Sequence, residues 1–233
     1  MSYNGRYISV VIAASGMGKR MNSNINKQYL LLREKPILAY TIEKFDNNEY
    51  IDEIVIVARE EEKEYCFNEV IKKYAFGKVT NIVGGGAERQ DSVYKGLLAV
   101  NSLCNIVLIH DGVRPFVRNE DIINSIDGAA NYNACVIGVP VKDTIKIVDA
   151  KKDIIDTPER RYLWAVQTPQ SFSYELILKA YKEAMQKKII ATDDSMLVEK
   201  LGHRVKIIEG SYSNIKITTP EDLKIAELLL SQL

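Results

Sequence analysis

An apolar run ends in Ala13-Ala14-Ser15-Gly16-Met17-Gly18-Lys19-Arg20-Met21, and Lys27 follows a few residues later. Small residues and glycines let backbone N–H groups approach phosphate oxygens, while Lys19 and Arg20 add positive charge. The segment lacks the Lys-Ser/Thr ending of a Walker A loop. Lys-Arg-Met follows its Gly-x-Gly where a dinucleotide fingerprint needs glycine or alanine. A second candidate is Gly84-Gly85-Gly86-Ala87-Glu88-Arg89-Gln90-Asp91-Ser92. Its glycines permit close approach to a flat base and Ser92 can supply a hydrogen bond, although a flexible strand-to-helix turn would use the same residues. In the third, His110-Asp111-Gly112-Val113-Arg114-Pro115, Asp111 suits a ribose hydroxyl or a magnesium ion and Arg114 a phosphate. His110 suits a structural hydrogen bond.

Further along, Lys142-Asp143-Thr144, Arg160, Thr168, Thr192-Asp193-Asp194 and Asn214-Ile215-Lys216 are polar signatures beside apolar segments. Each also reads as a cap, a turn or a solvated face. No Ser-His-Asp arrangement stands out, and no carboxylate pair is placed for sugar hydrolysis. What accumulates is phosphate-binding capacity without a nucleophile. Phosphoryl or nucleotidyl transfer suits that inventory, because positioning and charge stabilisation carry most of its catalysis.

The elements that must position these residues follow from periodicity. Tyr7–Ala13 is a β-branched apolar run, the pattern of a strand covered on both faces. Strands are also expected at Glu53–Ala58, Val79–Val83, Ile106–Ile109, Ala134–Val139 and Arg204–Ile208. Between them, helices are expected from Pro36, over Arg59–Tyr74, Arg89–Val100, Glu120–Ala130 and Tyr174–Gln186, and near Ser195–Leu201. At the last helix Thr219 can cap, Pro220 fits the first position, and Glu221 and Asp222 favour the positive end of the dipole. Such alternation predicts a doubly wound α/β sandwich. The rhythm breaks between Lys142 and Leu163, where Thr144–Val148, the turn Asp149–Asp153 and Ile154–Thr157 read as a hairpin. If it is an arm rather than part of the main sheet, a second copy of the chain is the simplest surface to receive it.

Composition limits the partners. The 233 residues carry 31 Lys plus Arg and 31 Asp plus Glu, so no nucleic-acid partner is expected. Three scattered cysteines and two histidines argue against a disulfide scaffold or a zinc site and fit a reducing compartment. No run approaches the roughly 18 apolar residues of a membrane span. The amino terminus reads as a first strand rather than an export signal, so a cytoplasmic location and no membrane partner are expected. The length suits one domain, 1–233.

The motifs AASGMGKRM with Asn26-Lys27-Gln28, GGGAERQDSV, HDGVRPF, VPVKDTIK, LWAVQTPQSF, TDDSMLVE and EGSYSNIKITTPEDL together resemble the 2-C-methyl-D-erythritol 4-phosphate cytidylyltransferase family, in order from about Ile8 to the last helix. The resemblance implies a single Rossmann-like nucleotidyltransferase domain, a three-layer α/β/α sandwich with a mostly parallel twisted sheet and a protruding β-arm at about 142–163. It implies transfer of CMP from CTP to 2-C-methyl-D-erythritol 4-phosphate, with Mg²⁺ bound mainly through the CTP phosphates and touching Asp111. By the same resemblance Arg20, Lys27 and Lys216 are catalytic. CTP would lie against Ala13, Ala14, Ser15, Gly16, Gly18, Lys19, Gly86, Ala87, Ser92, Asp111 and Gly112. Arg160, supplied across a homodimer by the arm, would hold the acceptor phosphate, with Arg114, Thr144, Thr168 and Thr192 also on the acceptor side. Ala13 and Ser15 depart from residues common in the family without removing a required side chain. Ala87 replaces a frequent aspartate, a change tolerable for a backbone contact to cytosine but one that can weaken base selectivity, and Val113 stands where alanine is common and makes the substrate wall fuller. A related enzyme acting on ribitol 5-phosphate is the nearest alternative, and a non-enzymatic nucleotide-binding module the alternative from another class.

Overall fold

The computed structural model describes residues 3–16 and 26–232. The chain opens with strand β1 (Tyr7–Ala13), whose alternate side chains feed two different cores: Ile8, Val10 and Ile12 point to one face and Val11 to the other. A short hairpin, β2 (Leu31–Leu32) and β3 (Lys35–Pro36), leads into α1 (Ile37–Asp46) and the fully buried β4 (Glu53–Ala58). The charged stretch after β4 is not the single helix its composition suggests. It splits into a 3₁₀ turn (Glu60–Glu62), one α turn (α2, Lys63–Tyr65) and a π-helical segment (Cys66–Lys72). The wider π turn still delivers Cys66, Val70 and Ile71 to the core.

β5 (Val79–Gly84) and α3 (Arg89–Leu98) follow, the helix being closed at its start by a reciprocal capping box between Glu88 and Asp91. Then come β6 (Cys104–Asp111), α4 (Asn119–Tyr132), β7 (Ala134–Pro140), the small strands β8 (Ile147–Val148) and β9 (Ile154–Asp156), and β10 (Trp164–Ser173). The carboxyl-terminal part adds α5 (Tyr174–Lys187), α6 (Asp194–Lys200), β11 (Lys206–Glu209) and α7 (Pro220–Leu230).

The main sheet has seven strands in the order β11-β7-β10-β6-β1-β4-β5. All its pairings are parallel except those of β10, which runs antiparallel to both β6 and β7. One face packs against α1, α4 and the π-helical segment, and the other against α3, α5 and α6. The expected three-layer, mostly parallel α/β/α sandwich is therefore present. A smaller cluster of Leu32, Ile37, Val113, Phe116, Ile217 and Ala226 seats α7 at the rim. Thr219 caps α7 with Pro220 at its first position, as expected.

β8 and β9 form a separate antiparallel pair outside the main sheet. Both strands are wholly exposed, so the hairpin is an arm. Its roots are joined: Pro140 at the end of β7 pairs with Trp164 at the start of β10.

Candidate active site

A cleft of about 560 Å³ opens at the carboxyl ends of the parallel strands. This is where ligands lie in open α/β sheets, because the loops that follow adjacent strands diverge there. The turn after β1 contributes Ala13, Ala14, Ser15 and Gly16; the turn after β5 contributes Gly85, Gly86 and Ala87; Asp111 and Val113 come from the end of β6. Lys27 and Lys216 line the same space. The two glycine turns lie against each other. A Cβ on Gly85 would sit 2.6 Å from the Cβ of Ser15, so only glycine allows this approach. Ser92 binds the turns together: its hydroxyl accepts from Ser15 Oγ at 2.9 Å and from Gly86 N–H at 3.0 Å, and donates to the Glu88 carbonyl at 3.0 Å. That hydroxyl shapes the turn and is already saturated.

Asp111 is the electrostatic centre. Its Oδ2 lies 2.8 Å from Lys216 Nζ and 3.4 Å from Arg114 Nε, and its Oδ1 lies 3.4 Å from Arg89 Nε. Burial disfavours the carboxylate, but Arg89, Lys216 and Arg114 together hold its pKa well below the usual carboxylate range. Arg89 reaches a second carboxylate as well, with Nη1 at 2.9 Å and Nη2 at 2.7 Å from the two oxygens of Asp194. Asp194 is completely buried and also accepts from the Tyr181 hydroxyl. Burial opposes the Arg89 charge, yet Asp194 and Asp111 raise its pKa above the ordinary guanidinium value.

Behind Asp111 runs a chain of neutral hydrogen bonds. The Asp111 N–H donates to Thr168 Oγ1 at 3.1 Å; Thr168 Oγ1 lies 3.1 Å from His110 Nδ1, and His110 Nε2 lies 3.1 Å from the Arg114 carbonyl. With Thr168 donating to Nδ1, the imidazole keeps its proton on Nε2 and is neutral. Burial drives its pKa down to about 4. His110 is thus the structural histidine its setting suggests. Asn214 braces the other side, donating to the Thr168 carbonyl at 2.9 Å while its own carbonyl takes Arg114 Nη1 at 2.7 Å.

The structure brings Ala13, Ala14, Ser15, Gly16, Lys27, Gly86, Ala87, Ser92, Asp111 and Lys216 to one cleft, with Arg114 against Asp111. Gly18, Lys19 and Arg20 lie outside the described residues. Gly112 packs behind the cleft, against Ala13, Ala14 and Leu38, and Thr168 is buried with its hydroxyl committed to the backbone of Asp111 and to His110. Thr192 is exposed just before α6, and Thr144 and Arg160 stand exposed on the arm, where Arg160 Nη1 donates to the Lys142 carbonyl at 2.9 Å. Sequence reasoning did not single out Arg89 and Asp194, which are 105 positions apart. Only the wider Gly84–Ser92 and Thr192–Asp194 signatures enclosed them.

Among the described residues no group of three or more His, Cys, Asp or Glu is arranged to hold a metal ion. Glu60, Glu61 and Glu88 also line the cleft, but Asp111 is the carboxylate set among the cations at the end of β6, and its less crowded Oδ1 fits one ligand of a cation that arrives already bound to phosphates. A thiol nucleophile is also disfavoured: burial pushes Cys66 and Cys135 up to about 12 and Cys104 to about 11.

Residues 8–232 match the sequence model of the IspD family, described as 2-C-methyl-D-erythritol 4-phosphate cytidylyltransferase. The chain belongs to this family. Within these cytidylyltransferases, a relative of that name from Caldanaerobacter subterraneus subsp. tengcongensis is 53% identical over 96% of this chain and 98% of its own length. One from Clostridioides difficile is 52% identical over 96% and 93%. The crystal structure of 4-diphosphocytidyl-2C-methyl-D-erythritol synthase from Anaerococcus prevotii superposes with a TM-score of 0.87 at 35% identity, covering 98% of this chain and 97% of that one. The cytidylyltransferase of Thermus thermophilus superposes with a TM-score of 0.78 at 28% identity, covering 97% and 99%.

Proposed function

We propose that this chain transfers CMP from CTP to 2-C-methyl-D-erythritol 4-phosphate, giving 4-diphosphocytidyl-2-C-methyl-D-erythritol and pyrophosphate. The observation that carries the reading is one cleft in which two glycine turns adjoin Lys27, Lys216 and the cation-ringed Asp111, in a chain that matches its family over residues 8–232. A phosphate oxygen of the acceptor attacks the α-phosphorus of CTP in line; the bond to the β-phosphate breaks and pyrophosphate leaves. Charge accumulates on the α-phosphoryl oxygens as this happens. Arg20, Lys27 and Lys216 are the groups assigned to meet it, and preorganised charge of this kind is commonly the largest catalytic term. The backbone of Ala13–Gly16, with Gly18 and Lys19, holds the triphosphate. Gly86, Ala87 and the turn shaped by Ser92 enclose cytosine, in a space that excludes a purine by size.

Mg²⁺ entering on the triphosphate would withdraw charge from the phosphates, and Asp111 is the residue that would hold it. Lys216, 2.8 Å from Asp111, is kept beside that position by the carboxylate.

The arm at 142–163 belongs to the same domain and makes the enzyme a homodimer. Ile147, Val148, Ile154, Ile155 and Tyr162 are all exposed on it, an apolar set that a second copy would cover. From the partner, Arg160 and Thr144 would reach the acceptor beside Thr192. The neutral charge balance leaves nucleic acid out of the account, and among the described residues no helix is long and apolar enough to cross a membrane. Three buried thiols without disulfides accord with a cytoplasmic location.

The test is a product assay pairing CTP, ATP, GTP and UTP with methylerythritol 4-phosphate and with ribitol 5-phosphate. Turnover of CTP with methylerythritol 4-phosphate is expected to dominate. Faster use of ribitol 5-phosphate would overturn the acceptor, and no product from CTP with either would remove the reading.

A further inference from the structure

Arg89 stands at the first position of α3, on the nucleotide side of the cleft, yet its strongest bonds go elsewhere. Both terminal nitrogens hold Asp194, two residues beyond Thr192, while Nε faces Asp111. A guanidinium is a rigid planar fork, so it cannot turn to follow one carboxylate without moving against the other. Asp194 has little freedom to adjust. It also accepts from Tyr181, and its backbone N–H donates to Gln170 Oε1 at 3.1 Å.

The neighbouring Gln90 holds the same turn without touching Asp111. Its Nε2 donates to the Ile189 carbonyl at 2.9 Å and its Oε1 accepts from Ala191 N–H at 3.0 Å. Two adjacent side chains thus clamp one turn, and only Arg89 also contacts the carboxylate at the centre of the nucleotide site.

We infer that Arg89 is a positioning residue that couples the two substrates: its guanidinium ties the acceptor-side turn carrying Thr192 to the nucleotide-side carboxylate of Asp111, so that filling one half of the cleft sets the other. The inference rests on the cytidylyltransferase reading above. Coupling between sites is reciprocal and shows as a change in one ligand's affinity caused by the other, commonly 5- to 150-fold.

The experiment measures the Kd of methylerythritol 4-phosphate with and without saturating α,β-methylene-CTP, which cannot release pyrophosphate, in the presence of Mg²⁺. In the wild type the nucleotide analogue should tighten acceptor binding about tenfold. Arg89→Lys keeps the charge but loses the fork, and should bring that ratio to within about twofold of unity. Gln90→Ala should weaken acceptor binding several-fold with and without the analogue and leave the ratio in place. Thermal melts check that the variants fold; if Arg89→Lys does not, Asp194→Asn takes its place with the same expected loss of coupling. A wild-type ratio of one, or a folded Arg89→Lys that keeps the wild-type ratio, overturns the inference alone. Failure of the wild type to make product from CTP and this acceptor overturns both it and the reading beneath it.

Discussion

The interior of the cleft and the arm are built on opposite physical terms. Asp111 is 6% exposed and sits among three cations, a saturated threonine and a neutral histidine, so its surroundings are fixed before any ligand arrives. Arg160 stands in the open, bonded to the backbone carbonyl of Lys142 on its own arm, and Ile155 on the same arm is 64% exposed. In the cleft the described side chains meet partners from the same chain. On the arm the charged side chains pair locally, Arg161 with Glu159 and Lys146 with Thr157, while the apolar side chains lie exposed. The contrast fits the two jobs proposed above: preorganised charge for the reacting phosphorus in the interior, and recognition of the acceptor's phosphate by a group that a second copy would bring in.

The sharpest way to break this comparison is Lys27→Ala. Removing one preorganised cation should lower kcat by about 100-fold or more, with the melting profile unchanged, as for loss of a single oxyanion-stabilising group. A rise in the CTP KM with kcat intact would reduce Lys27 to a ground-state contact. Next in size is pH. His110 has its pKa lowered to about 4 by burial, against an ordinary value of 6.5. The unfolded state therefore binds more protons between those values, and the stability from keeping the ring neutral is full above pH 6.5 and lost as pH falls toward 4. Between pH 6.5 and 5 the loss is about 2 kcal/mol. Melting curves of the wild type should follow it, and His110→Gln should flatten the slope; an unflattened slope would place the titration elsewhere.

On the arm, Arg160→Ala should raise the acceptor KM about tenfold and leave the CTP KM unchanged, the worth of one charge-assisted phosphate contact. Equal effects on both substrates would erase the distinction between the halves. Ile155→Ser should weaken self-association several-fold in sedimentation, for an apolar side chain whose partial exposure limits its burial in a dimer. The smallest expected effect is a control outside both regions. Thr219→Ala removes the cap of α7 and should cost about 1 kcal/mol of stability with no change in kinetics.

Much of this was legible in the residues. β-branched apolar runs marked the buried parallel strands, and Thr219-Pro220-Glu221-Asp222 marked the start of α7 because caps are local. β10 was not legible. Gln167-Thr168-Pro169-Gln170-Ser171 reads as polar and proline-broken, yet these residues are buried, and the side chains of Gln167, Thr168 and Gln170 are satisfied there by His110, Asp193, Ser211 and Asn214. Partners that distant leave no trace in periodicity. The Arg89–Asp194 pair was hidden for the same reason. The charged run after β4 misled in the other direction: its apolar spacing suited one helix, but the structure changes pitch within it. For the site, the glycine turns were readable from composition, whereas the commitment of Ser92 and Thr168 to neighbouring backbone needed coordinates.

The reversed direction of β10 has a consequence for how this architecture can vary. Because β10 runs against its neighbours, the chain leaves β7 and re-enters the sheet at the same rim, with Pro140 and Trp164 as ladder partners. An excursion between paired neighbours is a bay with a fixed mouth. Its length and tip can be rewritten by insertion or deletion without shifting a rung of the ladder or a side chain of either core. The rim at which the glycine turns converge is then also the port through which a lineage can remodel the arm.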